Sequence, residues 1–463
     1  MMFESRARPG NDIASRSPFA YGGRVMIPTL QLQRPADRAR VDGLLSRLRL
    51  DPVDVALARG DRAKKVAAVQ EILSAVAERG DDALVEFSRR FDDPDFDASQ
   101  IRVGPDEMRQ AASRVPVEQL SAIRRSIAQV REYQTHILPH DAPTLKRAGV
   151  ELGMRFTPLD SAGLYFPGGK ASYPSSLIML AVPAQVAGVK RVVVCTPPSK
   201  YGRSDLVLAT AFELGLSDVY RAGGAVAIAA MAFGTQTMPR VDKIVGPGNE
   251  YVQLAKRALA GCVGIDGYLG PSEILTLTDD TANVAFVASD LIAQAEHDPG
   301  SCFLLTTSSR VATEVVTEIE NQVRQRQRPD AIRRALVNDS AIIVDASMDA
   351  LIDLANLFAA EHVNLQTSDN DAVLKKLTHA GAVFVGPWSP VAAGDYVAGP
   401  SHCLPTNTTA RFSSGISVYE FLKRSSVVKY TQAGLTSDAA AIRAIAGAEG
   451  LDGHAASVTV REG

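Results

Sequence analysis

Residues 191–230, RVVVCTPPSKYGRSDLVLATAFELGLSDVYRAGGAVAIAA, contain the pattern from which the fold follows. A short β-branched run at residues 192–194 precedes an apolar helical segment, and a second run at residues 219–220 precedes another apolar helix. Continuous apolar strands that alternate with helices are typical of a parallel sheet covered by helices on both faces. The stretch therefore predicts an α/β fold.

The same alternation continues along the chain, with further runs at residues 244–245, 274–277, 303–305, 342–344 and 383–385. These strands are too many for one sheet, so we expect two doubly wound, Rossmann-like parallel-sheet domains with small N- and C-terminal appendages. The expected divisions are an N-terminal tail at 1–45, disordered in part, a discontinuous first α/β domain at 46–160 and 272–430, a second α/β domain at 161–271, and a small C-terminal segment at 431–463.

Composition excludes several classes of protein. Of 463 residues, 46% are hydrophobic and 22% charged, and the net charge is −3, which gives no electrostatic case for binding nucleic acid or an anionic membrane. No apolar run reaches the roughly 18 residues that a membrane span requires, and the N-terminus lacks the charged-then-apolar order of a signal peptide. The four cysteines are scattered without a CxxC pair, so we expect no disulfide framework and a reducing, cytoplasmic location.

Three glycine-containing turns, at residues 165–170, 223–224 and 246–249, each follow a predicted strand. A strand, a glycine turn and a helix N-terminus together offer free backbone N–H groups to an anion. None of the turns matches GxGxxG or the P-loop pattern. Each alone is as consistent with an ordinary connection, but three at successive strand ends predict a nucleotide or phosphate site at the carboxyl edge of the sheet.

A second group of residues carries metal-binding and acid–base chemistry. The run from Gln294 to Pro299 is predicted to be helical, so that Gln294 and His297 lie on one face and can point at one ion. Taken alone, such a pair is more often solvated or capping. Glu361 and His362 place a carboxyl group beside an imidazole, which suits general acid–base work, although a structural pair at a helix end is the commoner reason.

Further polar candidates lie in glycine-rich segments, namely Asp395, His402, Glu449 and His454. A nucleophilic cysteine that holds an aldehyde is the alternative chemistry. No cysteine lies in an electropositive turn that would lower the pKa of its thiol, so we do not expect this role.

Several long motifs resemble the histidinol dehydrogenase family, and the resemblance extends from about residue 60 to the C-terminus. The motifs are FPGGKASYPSS from Phe166, DKIVGPGNEYV from Asp242, GPSEIL from Gly270, DLIAQAEHDP from Asp290, EHVNLQ from Glu361, GDYVAGPSHCLPT from Gly394, ARFSSGISVYEFLKR from Ala410 and EGLDGHAASVTVR from Glu449.

The resemblance implies an oxidoreductase that performs the last step of histidine biosynthesis. It implies two NAD-dependent oxidations, of L-histidinol to L-histidinal and then to L-histidine, with one Zn²⁺ per subunit. It also implies a homodimer with shared active sites, in which residues 431–463 dock on the partner subunit. Residues 161–271 would bind NAD, and the first domain would carry most of the zinc site.

Residue roles follow from the same resemblance. Zinc would be held by Gln294, His297, Asp395 and, from the other subunit, His454. His362 would be the general base and Glu361 would help to activate water. Tyr165, Asn249 and the position of Val226 would contact NAD. Substrate contacts would come from Ser272, Gln294, His297, His362, Asp395, His402, Glu449 and His454.

The sequence departs from the family pattern at four places. Val226 replaces a Gln that would contact NAD, so we expect weaker NAD affinity. Asn407 and Thr408 replace a glycine pair, Tyr268 and Leu269 replace two small residues, and Gly453 replaces Ala. No departure removes a catalytic group.

Two other functions remain open at this point. One is a paralogous zinc- and NAD-dependent dehydrogenase acting on another small polar alcohol, such as a sulfonated diol. Ser272 and Glu449 suit an amine-bearing substrate, whereas a sulfonate calls for a basic residue there. The other is a zinc-dependent binding protein on a degenerate enzyme scaffold, which has no chemical need for Glu361 and His362.

Overall fold

The computed structural model describes residues 27–168, 171–297 and 300–462. Its strands are β1 Thr29–Gln31, β2 Leu145–Arg147, β3 Val150–Pro158, β4 Ser161–Tyr165, β5 Arg191–Thr196, β6 Asp218–Arg221, β7 Lys243–Val245, β8 Gly264–Ile265, β9 Ser272–Thr278, β10 Gly300–Thr306, β11 Ala341–Val344, β12 His362–Gln366, β13 Ala382–Val385 and β14 Leu422–Tyr430.

The α-helices are α1 Pro35–Leu48, α2 Pro52–Leu57, α3 Asp61–Arg79, α4 Asp81–Phe91, α5 Pro105–Arg114, α6 Val117–His136, α7 Pro174–Ala187, α8 Asp205–Glu213, α9 Gly224–Phe233, α10 Glu250–Leu259, α11 Val284–Ala295, α12 Ser309–Val323, α13 Pro329–Asn338, α14 Met348–Phe358, α15 Asn370–Lys376, α16 Val391–Tyr396, α17 Gln432–Ala448 and α18 Asp452–Thr459. Within the described ranges, no helix is both long and apolar enough to cross a bilayer.

The first of two parallel sheets contains five strands in the order β6-β5-β4-β7-β8. Its strands are apolar on both faces because both faces are covered. One face packs with α7 and α8 in one hydrophobic cluster, and the other packs with α3, α4, α9 and α10 in a second cluster. This sheet confirms the α/β prediction made from residues 191–230.

The second parallel sheet contains six strands in the order β1-β11-β10-β9-β12-β13. Helices α11, α12 and α13 cover one face, and α1 and α14 cover the other. The two sheets together confirm the prediction of two doubly wound units. Because all six strands run the same way, their amino ends lie along one edge, and the candidate site is built at that edge.

The described part of the N-terminal segment differs from the predicted tail. Strand β1 adds to the edge of the six-stranded sheet by pairing with β11. Val41 and Leu44 of α1 are buried in the cluster beneath that sheet. The segment is ordered because it buries apolar side chains. The polar residues around them in the sequence hide this apolar pattern. Residues 1–26 of the predicted tail lie outside the described residues.

The predicted grouping of residues 46–160 with the zinc-bearing domain also differs from the structure. Val69, Ile72 and Val76 of α3 share a hydrophobic cluster with strands β5 and β7. Helices α5 and α6 likewise belong to the cluster that contains α7 and α8. These helices pack on the five-stranded sheet because their apolar stripes complete its two faces.

A third, antiparallel sheet connects the C-terminal segment to the rest of the chain. Strand β14 pairs with β3 along its full length, and β2 pairs with β3 on the other side. Most of β14 is exposed. Beyond it, α17 and α18 pack against each other. Residues 422–459 therefore form an arm, by which we mean β14, α17 and α18.

Candidate active site

The amino edge of the six-stranded sheet brings distant parts of the chain together. Ser272 begins β9, Gly300 begins β10 opposite it, and His362 begins β12 beside β9. Glu361 immediately precedes β12 and is buried. Residues almost a hundred positions apart in sequence therefore meet because parallel strands share this edge.

Backbone groups of Glu273 orient the adjacent acid and base. The Glu273 N–H donates to Glu361 Oε2 at 3.0 Å, and Ser272 Oγ donates to the same oxygen. The His362 Nδ1 lies 3.3 Å from the Glu273 carbonyl oxygen, which can only accept. His362 therefore carries its proton on Nδ1 and leaves the lone pair of Nε2 free.

The free nitrogen faces a carboxylate and has no hydrogen-bond partner of its own. His362 Nε2 lies 3.8 Å from Asp395 Oδ1 and is buried and unsatisfied. Burial lowers the pKa of His362 to about 3, so its imidazole is neutral at physiological pH. The lone pair of a neutral imidazole at a cavity can accept a proton, and the neighbouring Asp395 carboxyl group, when ionised, favours the imidazolium that forms.

Burial raises the pKa of the neighbouring carboxyl groups, whereas it lowers the pKa of His362. It raises the pKa of Glu361 well above the usual value, and it raises the pKa of Asp395 to about 6. The second buried carboxyl group, Glu273, has its pKa raised to about 8 by the same cause. The site thus concentrates carboxyl groups that resist ionisation unless a cation or hydrogen-bond donors stabilise the charge.

His402 is fixed by two contacts in the same region. Its Nδ1 donates to the Asp395 carbonyl oxygen at 2.8 Å, and its Nε2 lies 3.0 Å from Ser176 Oγ. Burial lowers the pKa of His402. The ring is therefore neutral and connects α7 to the loop after α16.

The predicted helix over residues 294–299 ends early. Helix α11 ends at Ala295, and His297 lies in the next turn, where its N–H donates to the Gln294 carbonyl oxygen at 3.2 Å. Asp298 and Pro299 lie outside the described residues.

The side chains of Gln294, His297 and Asp395 fit a zinc ion. The buried amide nitrogen of Gln294 has no hydrogen-bond partner, and rotation of that amide presents its oxygen instead. His297 is exposed in the single chain, yet the protein around its ring lowers its pKa, and the charge of Asp395 opposes that shift. Imidazole nitrogen with oxygen ligands is a donor set that zinc accepts.

The single chain does not complete this set. Within the ranges that the structure describes, no three His, Cys, Asp or Glu side chains lie close enough to hold a metal. His454 and Glu449 are instead exposed on the arm, in α18 and at the end of α17. The structure links Ser272, Glu361, His362, Asp395 and His402 by contacts, and it places His297 near enough to Asp395 for their charges to interact.

A cavity of about 550 Å³ opens beside the acid–base pair. His362, Asp395 and His402 lie on its wall. The Phe384 ring lies 5.9 Å from the His362 ring, between centroids. The volume is within the range of small-molecule sites, and an apolar wall with a few convergent polar groups is typical of them.

The predicted NAD residues lie at the carboxyl edge of the other sheet. Tyr165 ends β4, and its hydroxyl oxygen accepts from the Gly224 N–H at 3.1 Å. A Cβ on Gly246 would lie 1.8 Å from the Tyr165 carbonyl oxygen, so Gly246 approaches this tyrosine closely. The turns at residues 223–224 and 246–249 therefore both contact Tyr165. Gly169 and Lys170, in the other predicted turn, lie outside the described residues.

The remaining two NAD positions have different surroundings. Asn249 caps α10, and its Oδ1 accepts from the Val252 N–H at 3.2 Å. Val226, in the first turns of α9, is buried in a hydrophobic cluster. Burial raises the pKa of Cys302 and Cys403 to about 12, so neither of these thiols is suited to act as a nucleophile.

Comparison with known proteins identifies the family. The sequence profile of histidinol dehydrogenase matches residues 57–462. The chain is 46% identical over 398 residues to a histidinol dehydrogenase of Synechococcus sp., which covers 86% of this chain and 92% of that one. It is 46% identical over 396 residues to a histidinol dehydrogenase of Geobacillus kaustophilus, with 85% and 93% covered.

A solved structure agrees with the sequence comparisons. The crystal structure of histidinol dehydrogenase from Elizabethkingia anophelis superposes with a TM-score of 0.85 at 34% identity, covering 94% of this chain and 98% of that chain. The alternative of a paralogue that oxidises another alcohol finds no support in these relatives. By sequence and by structure, the chain belongs to the histidinol dehydrogenase family.

Proposed function

We propose that this chain oxidises L-histidinol through L-histidinal to L-histidine, the last step of histidine biosynthesis, with Zn²⁺ and two molecules of NAD. One observation carries the proposal: the neutral His362 presents a buried, unpartnered Nε2 to a cavity and to Asp395. The relatives from Synechococcus and Geobacillus, both named histidinol dehydrogenase, support the choice of substrate. Residues 161–271 would hold NAD near Tyr165, Asn249 and position 226.

The zinc site uses ligands from two subunits. Gln294, His297 and Asp395 supply three ligands, and His454 of a second copy of the chain supplies the fourth. When bound, the zinc ion polarises and orients the amine and imidazole of the substrate without changing its own oxidation state. Its positive charge also favours the ionised form of Asp395, whose pKa burial raises to about 6 in the metal-free chain.

The acid–base steps belong to His362 and Glu361. In the first oxidation, His362 Nε2 would accept the hydroxyl proton of L-histidinol while the carbinol hydride passes to the first NAD. After that proton has left for solvent, the same nitrogen would accept a proton from the water that adds to the aldehyde, and the hydride of the resulting hydrate would pass to the second NAD. Glu361, held by Ser272 and the Glu273 N–H, lies 3.5 Å from the His362 ring and helps to activate that water.

The substrate amine and imidazole require polar partners around the cavity. Ser272 and His402 of the same chain, and Glu449 of the partner subunit, contact L-histidinol in this proposal, together with the zinc ligands and His362. A carboxylate at position 449 suits the N–H donors of an amine- and imidazole-bearing substrate. It would repel a sulfonate, which argues against the sulfonated-diol alternative.

The exposed arm supports the proposal of a homodimer. Val428 and Ile445 of the arm are each 62% exposed, and a partner subunit would cover these apolar side chains. His454 and Glu449 lie on that same arm. Docking of the arm on a second copy would bury the apolar side chains and deliver both polar groups to the other site. We propose the cytoplasm as the location, where biosynthetic NAD is available.

The test is an NADH assay with purified, zinc-loaded protein. We expect turnover with L-histidinol and none with a sulfonated propanediol. His362→Asn should abolish turnover with histidinol while preserving zinc content, because it removes only the proton acceptor. Turnover with the diol alone would refute the proposed substrate, and an active His362→Asn variant would refute the proposed base.

A further inference from the structure

Two buried polar side chains beside the site contact each other. Asp290 lies in α11, whose other inward-facing residues are mostly apolar, and is 7% exposed. Asn364 lies in the middle of β12 and is 0% exposed. Burying a carboxylate and an amide costs free energy unless both form hydrogen bonds. The hydrogen bonds of these two side chains therefore show which elements they connect.

The two side chains contact each other and the segment that leads into α16. Asn364 Nδ2 donates to Asp290 Oδ2 at 3.1 Å and lies 3.3 Å from the Ser389 carbonyl oxygen. Asp290 also accepts a hydrogen bond from the backbone N–H of Val391, the first residue of α16. One carboxylate and one amide therefore join three separate elements.

Each of these elements carries one part of the site. Gln294 follows Asp290 by four residues, one turn along α11, and so lies on the same face of the helix. His362 precedes Asn364 by two residues, so both side chains lie on one face of the sheet. Asp395 follows Val391 by four residues, at the other end of the short helix α16.

Helix α16 has six residues, which is too short to be stable without tertiary contacts. Burial raises the pKa of Asp290 to about 6, so the carboxyl group is costly here, and an apolar pair of similar size would avoid that cost. The hydrogen bonds instead fix the direction of α16 relative to α11 and β12.

We propose that Asp290 and Asn364 are positioning residues that hold two zinc ligands, Gln294 and Asp395, in the geometry required for zinc binding, with the base His362 beside them. This inference rests on the proposed zinc-dependent function. Partners that orient metal ligands commonly affect metal affinity by about 10- to 100-fold. The effect should therefore appear in zinc affinity itself, before any turnover.

A matched control exists at the opposite edge of the same sheet. Asp345 is 3% exposed and accepts from one amide side chain, Gln33 Nε2 at 2.6 Å, and one backbone N–H, that of Ser347, at 2.8 Å. Asp290 has the same kinds of donor. Asp345→Asn therefore perturbs a similar buried carboxylate far from the amino edge of the sheet.

The experiment measures the zinc dissociation constant of the full-length protein by competition with a chromogenic chelator, together with thermal unfolding of the metal-free protein. We expect Asp290→Asn to weaken zinc binding by about 10- to 100-fold. Asp345→Asn should lower thermal stability similarly but leave zinc affinity unchanged. If Asp290→Asn is not recovered folded, Asn364→Ser provides the same test, because it removes the amide donor to both Asp290 and Ser389.

The outcomes separate this inference from the proposed function. Wild-type zinc affinity in a folded Asp290→Asn or Asn364→Ser protein would overturn the inference while leaving the proposed function intact. Equal weakening by Asp345→Asn would also overturn it, because the effect would then reflect general stability. Failure of the wild-type protein to bind zinc would overturn both.

Discussion

A buried ion pair holds the third glycine turn, and replacing its lysine tests how the NAD-binding region is held. Lys256 of α10 and Asp266 are both buried and form an ion pair. Lys256 Nζ also donates to the Gly246 carbonyl oxygen at 2.9 Å, and Asp266 Oδ2 accepts from the Gly246 N–H at 2.6 Å. The pair thus binds both sides of one residue whose φ of 125° favours glycine.

Lys256→Met leaves the Asp266 carboxylate buried without its counter-ion. Removing one partner of a buried pair costs about 3–5 kcal/mol, and the lost hydrogen bond to Gly246 contributes about 1 kcal/mol more. Burial already raises the pKa of Asp266, and Lys256 opposes that shift. Without the lysine, the folded-state pKa should rise further, so the loss of stability should shrink as the pH falls and the carboxyl group takes up a proton.

The assay is urea unfolding of wild type, Lys256→Met, Asp266→Asn and the double variant. The double variant should be less destabilised than the sum of the singles, because it carries no unpaired charge. The KM for NAD should rise in Lys256→Met more than the KM for histidinol. A cost below about 1 kcal/mol, or strict additivity of the single variants, would refute the reasoning, since neither is compatible with a lone buried carboxylate.

Three other predictions follow. Between pH 4.5 and about 8, the folded wild-type protein keeps a proton on Glu273 that the unfolded chain has lost, so its free energy of unfolding should fall by about 1.4 kcal/mol per pH unit. Glu273→Gln should remove this fall, and equal pH slopes of the unfolding free energy in urea for wild type and variant would contradict the prediction. Refolding an equal mixture of inactive His362→Asn and His454→Asn chains should restore about a quarter of wild-type activity, since half the dimers then contain one intact shared site; no recovery would place both residues in one subunit. Val226→Gln should lower the KM for NAD by adding a hydrogen bond, at some cost in thermal stability because position 226 is buried; an unchanged KM would count against a cofactor contact at this position.

The parallel sheets could be predicted from the sequence because their strands are buried on both faces. Runs such as residues 192–194 and 303–305 are continuously apolar and correspond to β5 and β10. Strand β14 was not predicted, since its exposed residues show no apolar alternation and it is defined by pairing with β3. The packing of α3, α5 and α6 on the five-stranded sheet depends on which face their stripes fill, which a single sequence does not specify.

The candidate site was predicted less completely than the fold. Its titratable residues were found through the family motifs, but the contacts that orient them were not. The backbone N–H of Glu273 contacts Glu361, and its carbonyl oxygen contacts His362. A pattern of side chains in the sequence cannot predict such backbone contacts. Asp290 did leave a signal, as a carboxylate within a mostly apolar helix, whereas Asn364 did not, because β12 also contains His362 and Gln366. The positive φ angles of Asn407 and Thr408, 56° and 64°, explain why the family pattern has glycine at those positions.

The central claim is a four-electron oxidation at one site, and the most direct test is product stoichiometry. Zinc-loaded protein with limiting L-histidinol and excess NAD should form two NADH for each L-histidine, without release of the aldehyde. One NADH per substrate consumed, with L-histidinal accumulating in solution, would contradict the account, because His362 and Glu361 would then serve only the first oxidation.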